Sequence, residues 1–159
     1  MPKLSPKALI LAAALLAACA GPAPVTSPPP AVFVIPTDLP NGRIEITISP
    51  SYALGGVAAI PVAISVTRGS VTGPLTARIM ASGISQGGGV PAEVLVRELL
   101  VTPATVAANS RASTTLTWDT RDANGSLVPV DAYTLLVDVR SNDGGTSRTV
   151  TATATLDVR

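Results

Sequence analysis

Histidine is absent from the 159-residue chain, and cysteine occurs only at Cys19. Histidine is the most common general base and a frequent metal ligand, and the cysteine thiolate is a common nucleophile. Sites built from Asp, Glu, Ser, Thr and Tyr stay open, so the composition argues against an enzyme without excluding one. Charged residues make up 13% of the chain, with 11 basic and 10 acidic residues. The near-equal numbers of basic and acidic residues argue against a basic surface that binds nucleic acid. We also expect no cofactor.

A long hydrophobic run is also missing. The apolar segment at residues 8–18 is too short to span a bilayer. It follows Lys3 and Lys7 and ends in small residues before Cys19, which is the arrangement of a secretory signal peptide. The sequence therefore predicts a signal peptide over residues 1–18. Its removal leaves nine arginines against ten acidic residues, a net charge of about −1.

The cleavage region carries a more specific signal. Leu16, Ala17, Ala18 and Cys19 resemble the lipobox of bacterial lipoproteins, in which the cysteine thiol receives a diacylglycerol thioether before cleavage. The resemblance implies a lipidated, palmitate-bearing Cys19 that holds the protein to a membrane of the cell envelope. In a cell with two membranes, an Asp directly after the lipidated cysteine is associated with retention in the inner membrane. Ala20 occupies that position, so the resemblance implies the outer membrane. The alternative is an ordinary signal peptide, although no second cysteine exists to form a disulfide.

Residues 19–40 form the predicted linker. Seven prolines lie between residues 20 and 40, including three in a row at 28–30. Such a segment favours extended polyproline II and could hold a domain up to roughly 60 Å from the lipid. A proline-rich ligand for a partner is the alternative. The apolar residues 32–35 could instead add a short edge strand to the domain that follows.

Alternating apolar and polar residues predict seven strands within residues 41–159. They cover residues 44–48, 58–67, 75–81, 94–101, 111–118, 133–139 and 149–158. The expected inward residues of the fifth strand are Ala112, Thr114, Leu116 and Trp118. Pro61 predicts that the start of the second strand lies at a sheet edge or a bulge. This pattern predicts an all-β domain, an immunoglobulin-like (Ig-like) antiparallel sandwich of about seven strands, with a small barrel as the alternative.

The stretch from Trp118 to Tyr133 has a clear physical interpretation. Trp118 ends one predicted strand, and Tyr133 begins the next with its ring on the inner face. Turn-forming residues lie between them: Asp122, Asn124, Gly125 and Pro129. Their side-chain caps, left-handed backbone and fixed φ predict a long hairpin, closed at one end by the two aromatic rings.

The same stretch resembles the Ig-like domain family of the flagellar hook-capping protein. The matching positions are Trp118, Asp119, Arg121, Asp122, Gly125, Val128, Pro129 and Tyr133. The family usually has glycine at the positions of Thr120 and Asp131. Because Asp tolerates the left-handed conformation and a β-branched residue does not, we expect a preserved left-handed turn at Asp131 and altered backbone at Thr120. A bacterial intracellular proteinase inhibitor family is similar here. Both resemblances imply the fold of a structural or interaction module.

A calcium loop is a second interpretation of this segment. Asp122, Asn124, Gly125 and Asp131 supply alternating oxygen ligands, a glycine and a later acid. Thr120, however, stands where the first carboxylate should be, and Asp131 is shorter than the usual bidentate Glu. We therefore expect side-chain-capped turns and no metal.

Two further pairs carry weaker expectations. Asp138 and Arg140 alternate to the outward face of their strand, where we expect a solvated surface pair. Tyr52 and Leu54 form either an exposed contact point or a minor part of the core.

Together these features predict a non-enzymatic, lipid-anchored envelope protein whose Ig-like domain is structural or binds an unidentified envelope protein. The competing hypothesis is an inhibitor of an envelope protease, with residues 83–91 or 119–131 entering the enzyme's cleft. An exposed, rigid loop favours inhibition, whereas a broad apolar face favours assembly.

Overall fold

The computed structural model describes residues 31–83 and 93–159. These residues form nine β-strands and no helix. The strands are β1 (Phe33–Leu39), β2 (Gly42–Ile48), β3 (Ala58–Val66), β4 (Ser70–Ser82), β5 (Glu93–Leu99), β6 (Ala104–Ala107), β7 (Ser110–Trp118), β8 (Ala132–Asp143) and β9 (Thr146–Asp157). The described part of the chain contains no helix long and apolar enough to cross a membrane. The predicted signal peptide, Cys19 and the linker as far as residue 30 lie outside it.

The strands form two antiparallel sheets packed face to face. The first sheet has the order β1-β2-β3-β7, and the second has the order β5-β4-β8-β9, with β6 pairing to β4. The chain crosses between the sheets after β3, β6 and β7. This architecture confirms the expected Ig-like β-sandwich and excludes a single closed barrel.

Period-two alternation builds the core between the sheets. Ile44, Ile46 and Ile48 of β2 face inward, as do alternate residues of β8 and β9. Removing such apolar surface from water stabilises the fold by about 25 cal/mol per Å². Thr114 is an exception, because it is exposed although its strand position predicted an inward side chain. It lies on β7, which is an edge strand of the first sheet.

Two of the nine strands were not among the seven expected. β1 pairs with β2 along its whole length, so the edge-strand alternative for residues 32–35 is observed, within the segment assigned to the linker. β6 was missed because only Val106 of its four residues is buried, which leaves no alternation to detect. Pro61 lies just beyond Val62, the last β3 residue paired with β2, which fits its predicted edge position.

A buried polar cluster closes the end of the sandwich at which β1 stops. The Asn41 side-chain amide donates to the carbonyl oxygens of Ser70 at 2.9 Å and Asn142 at 3.1 Å. Its Oδ1 accepts a 2.7 Å hydrogen bond from the Ser141 hydroxyl. These bonds satisfy a side chain that is only 1% exposed, and they link the turn between β1 and β2 to the second sheet.

Candidate functional site

The opposite end of the sandwich, which we call the tether end, is where the chain enters β1. Here β2 ends, β3 begins, β7 ends and β8 begins. A parallel bridge between Tyr52 and Val158 connects the loop at residues 49–57 to the second sheet. Tyr52 is buried, and its hydroxyl oxygen accepts a 3.0 Å hydrogen bond from the Ser49 N–H. Of the two alternatives for this residue, the structure therefore shows a core element.

Trp118 and Tyr133 pack together beneath this end. Their rings meet edge to face, with centroids 5.3 Å apart and planes at 70°. Both residues are buried, which confirms the burial expected from the sequence. The Trp118 indole N–H donates to the Arg121 carbonyl oxygen at 2.9 Å. The Tyr133 hydroxyl donates to the Pro129 carbonyl oxygen at 2.7 Å, which forms the tyrosine corner found in Ig-like folds.

The connection between these aromatic residues is not the predicted hairpin. Trp118 ends β7 in the first sheet, whereas Tyr133 belongs to β8 in the second, so residues 119–131 cross from one sheet to the other. Alternation along two strands does not reveal whether they are neighbours in one sheet. A tight side-chain-capped turn followed by a tyrosine corner serves equally well as a crossover.

Within this crossover, Asp122 organises a tight turn. Its Oδ1 accepts hydrogen bonds of 2.9 Å from the N–H groups of Asn124 and Ser126. Gly125 has φ +82°, a left-handed conformation that glycine adopts without steric cost. Asp119 Oδ1 accepts a 3.3 Å bond from the Arg121 N–H. The side-chain capping predicted for this segment is therefore observed, although it occurs in a crossover between the sheets and not in a hairpin.

Two backbone expectations in the crossover were wrong. We expected altered backbone at Thr120, where the resembling family usually has glycine. Thr120 instead has φ +54°, a left-handed conformation that glycine adopts readily. Asp131, by contrast, does not have a positive φ. Thr120 is fully buried, and its Oγ1 accepts a 2.8 Å hydrogen bond from the Gly55 N–H. This buried contact compensates for a backbone conformation that disfavours a β-branched residue.

The carboxylates of the crossover are engaged with the backbone. Asp122 Oδ1 caps the turn, and Asp131 Oδ1 accepts a 2.7 Å bond from the Ala132 N–H. Among the residues that the structure describes, no three His, Cys, Asp or Glu side chains come together as metal ligands would. The hydrogen bonds of Asp122 and Asp131 to the backbone support a structural role for these carboxylates.

The crossover folds back against β5. The Ala123 N–H donates to the Val96 carbonyl oxygen at 2.9 Å, and Arg97 Nη1 donates to the Asp122 carbonyl oxygen at 2.7 Å. An open groove of ≈ 350 Å³ lies beside it, between β5 and β7. Its lining includes Val57, Arg97, Leu99, Leu100, Trp118 and Asp119.

Three exposed apolar side chains, Leu54, Val57 and Leu127, form what we call the apolar tip. They are 40%, 72% and 47% exposed, respectively. Leu54 and Val57 belong to the loop at residues 49–57, and Leu127 reaches this loop from the crossover. A Cβ placed on Gly55 would lie 3.9 Å from Leu127 Cδ2. The two loops that carry the apolar tip are therefore in contact, and the Gly55–Thr120 hydrogen bond holds them together.

Asp138 is not paired with Arg140, as the sequence had suggested. It accepts bonds from Arg78 at 2.9 Å, Thr76 at 2.6 Å and Thr151 at 2.6 Å, across β4, β8 and β9. Burial raises the pKa of its carboxyl, but these hydrogen bonds and the Arg78 charge outweigh burial and hold the pKa below its usual range. The sequence shows no sign of this network, because its members come from three strands.

No family model matches the chain, and the search of curated proteins gave no significant match. The resemblances of the 118–133 stretch and of the lipobox therefore stay predictions.

Proposed function

We propose that the protein is a non-enzymatic module of the bacterial cell envelope that acts by contact with another envelope protein. A lipid on Cys19 holds it to the membrane, and the apolar tip at the tether end of its Ig-like sandwich binds the partner. The observation that carries this proposal is the apolar tip, whose three aliphatic side chains are exposed on two loops that the structure holds in contact.

Burial of the apolar tip against a partner gives a favourable free energy, because exposed aliphatic surface leaves water. Fixed loops lower the entropic cost of binding, since few torsions are ordered on association. The apolar tip meets both conditions. Val57, its most exposed residue, also lines the groove between β5 and β7, so a partner seated there could extend into that groove.

Protease inhibition is the second candidate, and the described loops favour it less. An inhibitory loop presents an extended segment to the enzyme's cleft, whereas residues 119–127 form a closed turn hydrogen-bonded to β5. The other candidate loop, residues 83–91, lies almost wholly outside the described residues.

Photo-cross-linking in intact envelopes tests the proposal. A photoreactive amino acid at Leu127 in the full lipidated chain should give one adduct of defined mass. The matched position is Thr115, which is exposed on the outer face of β7 and should give none. Val57→Asp should abolish the Leu127 adduct, because a charge would be buried in the interface. Equal adducts at both positions, or none at Leu127, would overturn the proposal, and an adduct with a protease that the protein inhibits would favour the second candidate.

A further inference from the structure

The second sheet has two edges, and other parts of the chain contact each of them in a limited region. At β5, the Ala123 N–H donates to the Val96 carbonyl oxygen, and Arg97 Nη1 donates to the Asp122 carbonyl oxygen. At the other edge, the loop at residues 49–57 covers only the end of β9 and the residues after it. The Tyr52 N–H donates to the Asp157 carbonyl oxygen at 2.8 Å, and the Arg159 N–H donates to the Tyr52 carbonyl oxygen at 2.9 Å.

These bonds reveal which backbone groups of β9 point away from β8. Asp157 and Arg159 direct theirs toward Tyr52, and backbone direction alternates along a strand. The N–H and C=O groups of the odd-numbered residues 149, 151, 153 and 155 therefore also point outward. Among the described residues, none of these groups has a hydrogen-bond partner. The free edge consists of residues 147–155.

The free edge lacks the features by which proteins prevent strands from pairing at an edge. Its sequence contains no proline, glycine or acidic residue. Its register with β8 continues through twelve residue pairs without a bulge. Proline, inward charge and bulges are the usual protections of an exposed edge, and an edge without them is competent to accept another strand.

A second copy of the same strand fits this edge. In an antiparallel pair centred on Thr151, Thr149 faces Thr153 and Val150 faces Ala152. Arg148, the only charged residue of the segment, faces Ala154 rather than the other Arg148. Like charges therefore never meet, and threonines oppose one another on the outer face, which is a favourable cross-strand arrangement. The net charge of the chain is small, +1 with the predicted signal peptide and about −1 without it, so it adds little repulsion between copies.

We propose that two copies of this protein associate through β9, antiparallel and around a two-fold axis at Thr151, so that their second sheets become one continuous sheet. This interface is separate from the apolar tip, and the proposal does not depend on the function proposed above.

Register-specific disulfide formation tests this pairing in the full chain, expressed in its own envelope. Thr151 faces itself across the axis, with Cα atoms about 5.5 Å apart, within the range of a disulfide. Thr151→Cys should therefore yield a covalent dimer under mild oxidation. Thr149→Cys is the matched control, because its two copies would lie about 13 Å apart along the strands. It should stay monomeric, as should the parent chain with Cys19 alone.

Adding Thr153→Cys to Thr149→Cys should restore the cross-link, since these two positions face each other. The double variant keeps Thr151, so the hydrogen bond from Thr151 to Asp138 is not disturbed. Three results would overturn the proposal: a monomeric Thr151→Cys variant together with a monomeric double variant, equal cross-linking of the Thr149→Cys and Thr151→Cys variants, or a Thr151→Cys adduct with a different protein.

Discussion

The Trp118 and Tyr133 rings pack edge to face with their centroids 5.3 Å apart, and the two residues belong to opposite sheets. Each also bonds to the crossover that connects them, Trp118 to the Arg121 carbonyl oxygen and Tyr133 to the Pro129 carbonyl oxygen. The pair therefore joins the two sheets and fixes both ends of residues 119–131. Leu127 of the apolar tip depends on this arrangement.

Loss of the Trp118 ring should weaken the whole domain. We expect Trp118→Ala to lower the free energy of unfolding by about 3–5 kcal/mol, because it leaves a cavity between the sheets. Trp118→Phe should cost less, since it keeps an aromatic contact while losing the indole donor. Urea denaturation measures both. Trp118 is the only tryptophan, so its native fluorescence reports its burial directly. Red-shifted, easily quenched emission would contradict the packing.

The left-handed backbone at Thr120 predicts an unusual order of stability. Thr120→Ala loses the acceptor for the Gly55 N–H and keeps the unfavourable φ, whereas Thr120→Gly loses the acceptor but relieves the strain. We expect the glycine variant to be more stable than the alanine variant by about 1 kcal/mol. At ordinary strand positions this order is reversed. Thermal or urea unfolding that found alanine the more stable would rule out the positive φ.

Asp138 should make the domain sensitive to acid. Its folded-state pKa lies below the unfolded value, so its contribution to stability is complete above the unfolded pKa of about 4 and is lost as the pH falls through the folded value. The free energy of unfolding should therefore decrease as the pH falls below about 4. Asp138→Asn should flatten this decrease. Asp38→Asn, at an exposed ion pair, is the control and should preserve it.

Calcium should leave the stability of the domain unchanged. A ligand that binds only the folded state raises the melting temperature as its concentration passes the dissociation constant. Since the Asp122 and Asp131 carboxylates bond to the backbone, melts in calcium and in chelator should coincide. Asp122→Asn keeps an oxygen acceptor for the turn while removing the charge. A calcium-dependent rise that this variant abolished would make residues 119–131 a metal site.

The sequence predicted the strands with clear alternation, because one face of each is buried. β2, β8 and β9 contain nearly all of the expected residues, although β8 and β9 extend further than predicted toward the turn that joins them. β6 could not be found, since it has only four residues and one buried side chain. The hairpin was a wrong prediction for a different reason: local turn chemistry is the same whether the next strand joins the same sheet or the opposite one.

Parts of the site depend on long-range contacts, which local patterns do not encode. The bond between Gly55 and Thr120 brings together two loops separated by several strands, and it determines where Leu127 lies. Asp138 likewise finds its partners on β4 and β9, not on its own strand. The turn residues Asp122, Asn124 and Gly125 were predictable, because their bonds are local.

The most direct test of the proposed envelope anchoring is detergent phase partitioning of the full chain against Cys19→Ser. A single N-terminal lipid group is the only membrane anchor that the proposal invokes, so its loss should release the protein. We expect the parent chain in the detergent phase and the cleaved Cys19→Ser variant in the aqueous phase. A Cys19→Ser protein that remained in the detergent phase after signal-peptide cleavage would contradict the lipid-anchored module.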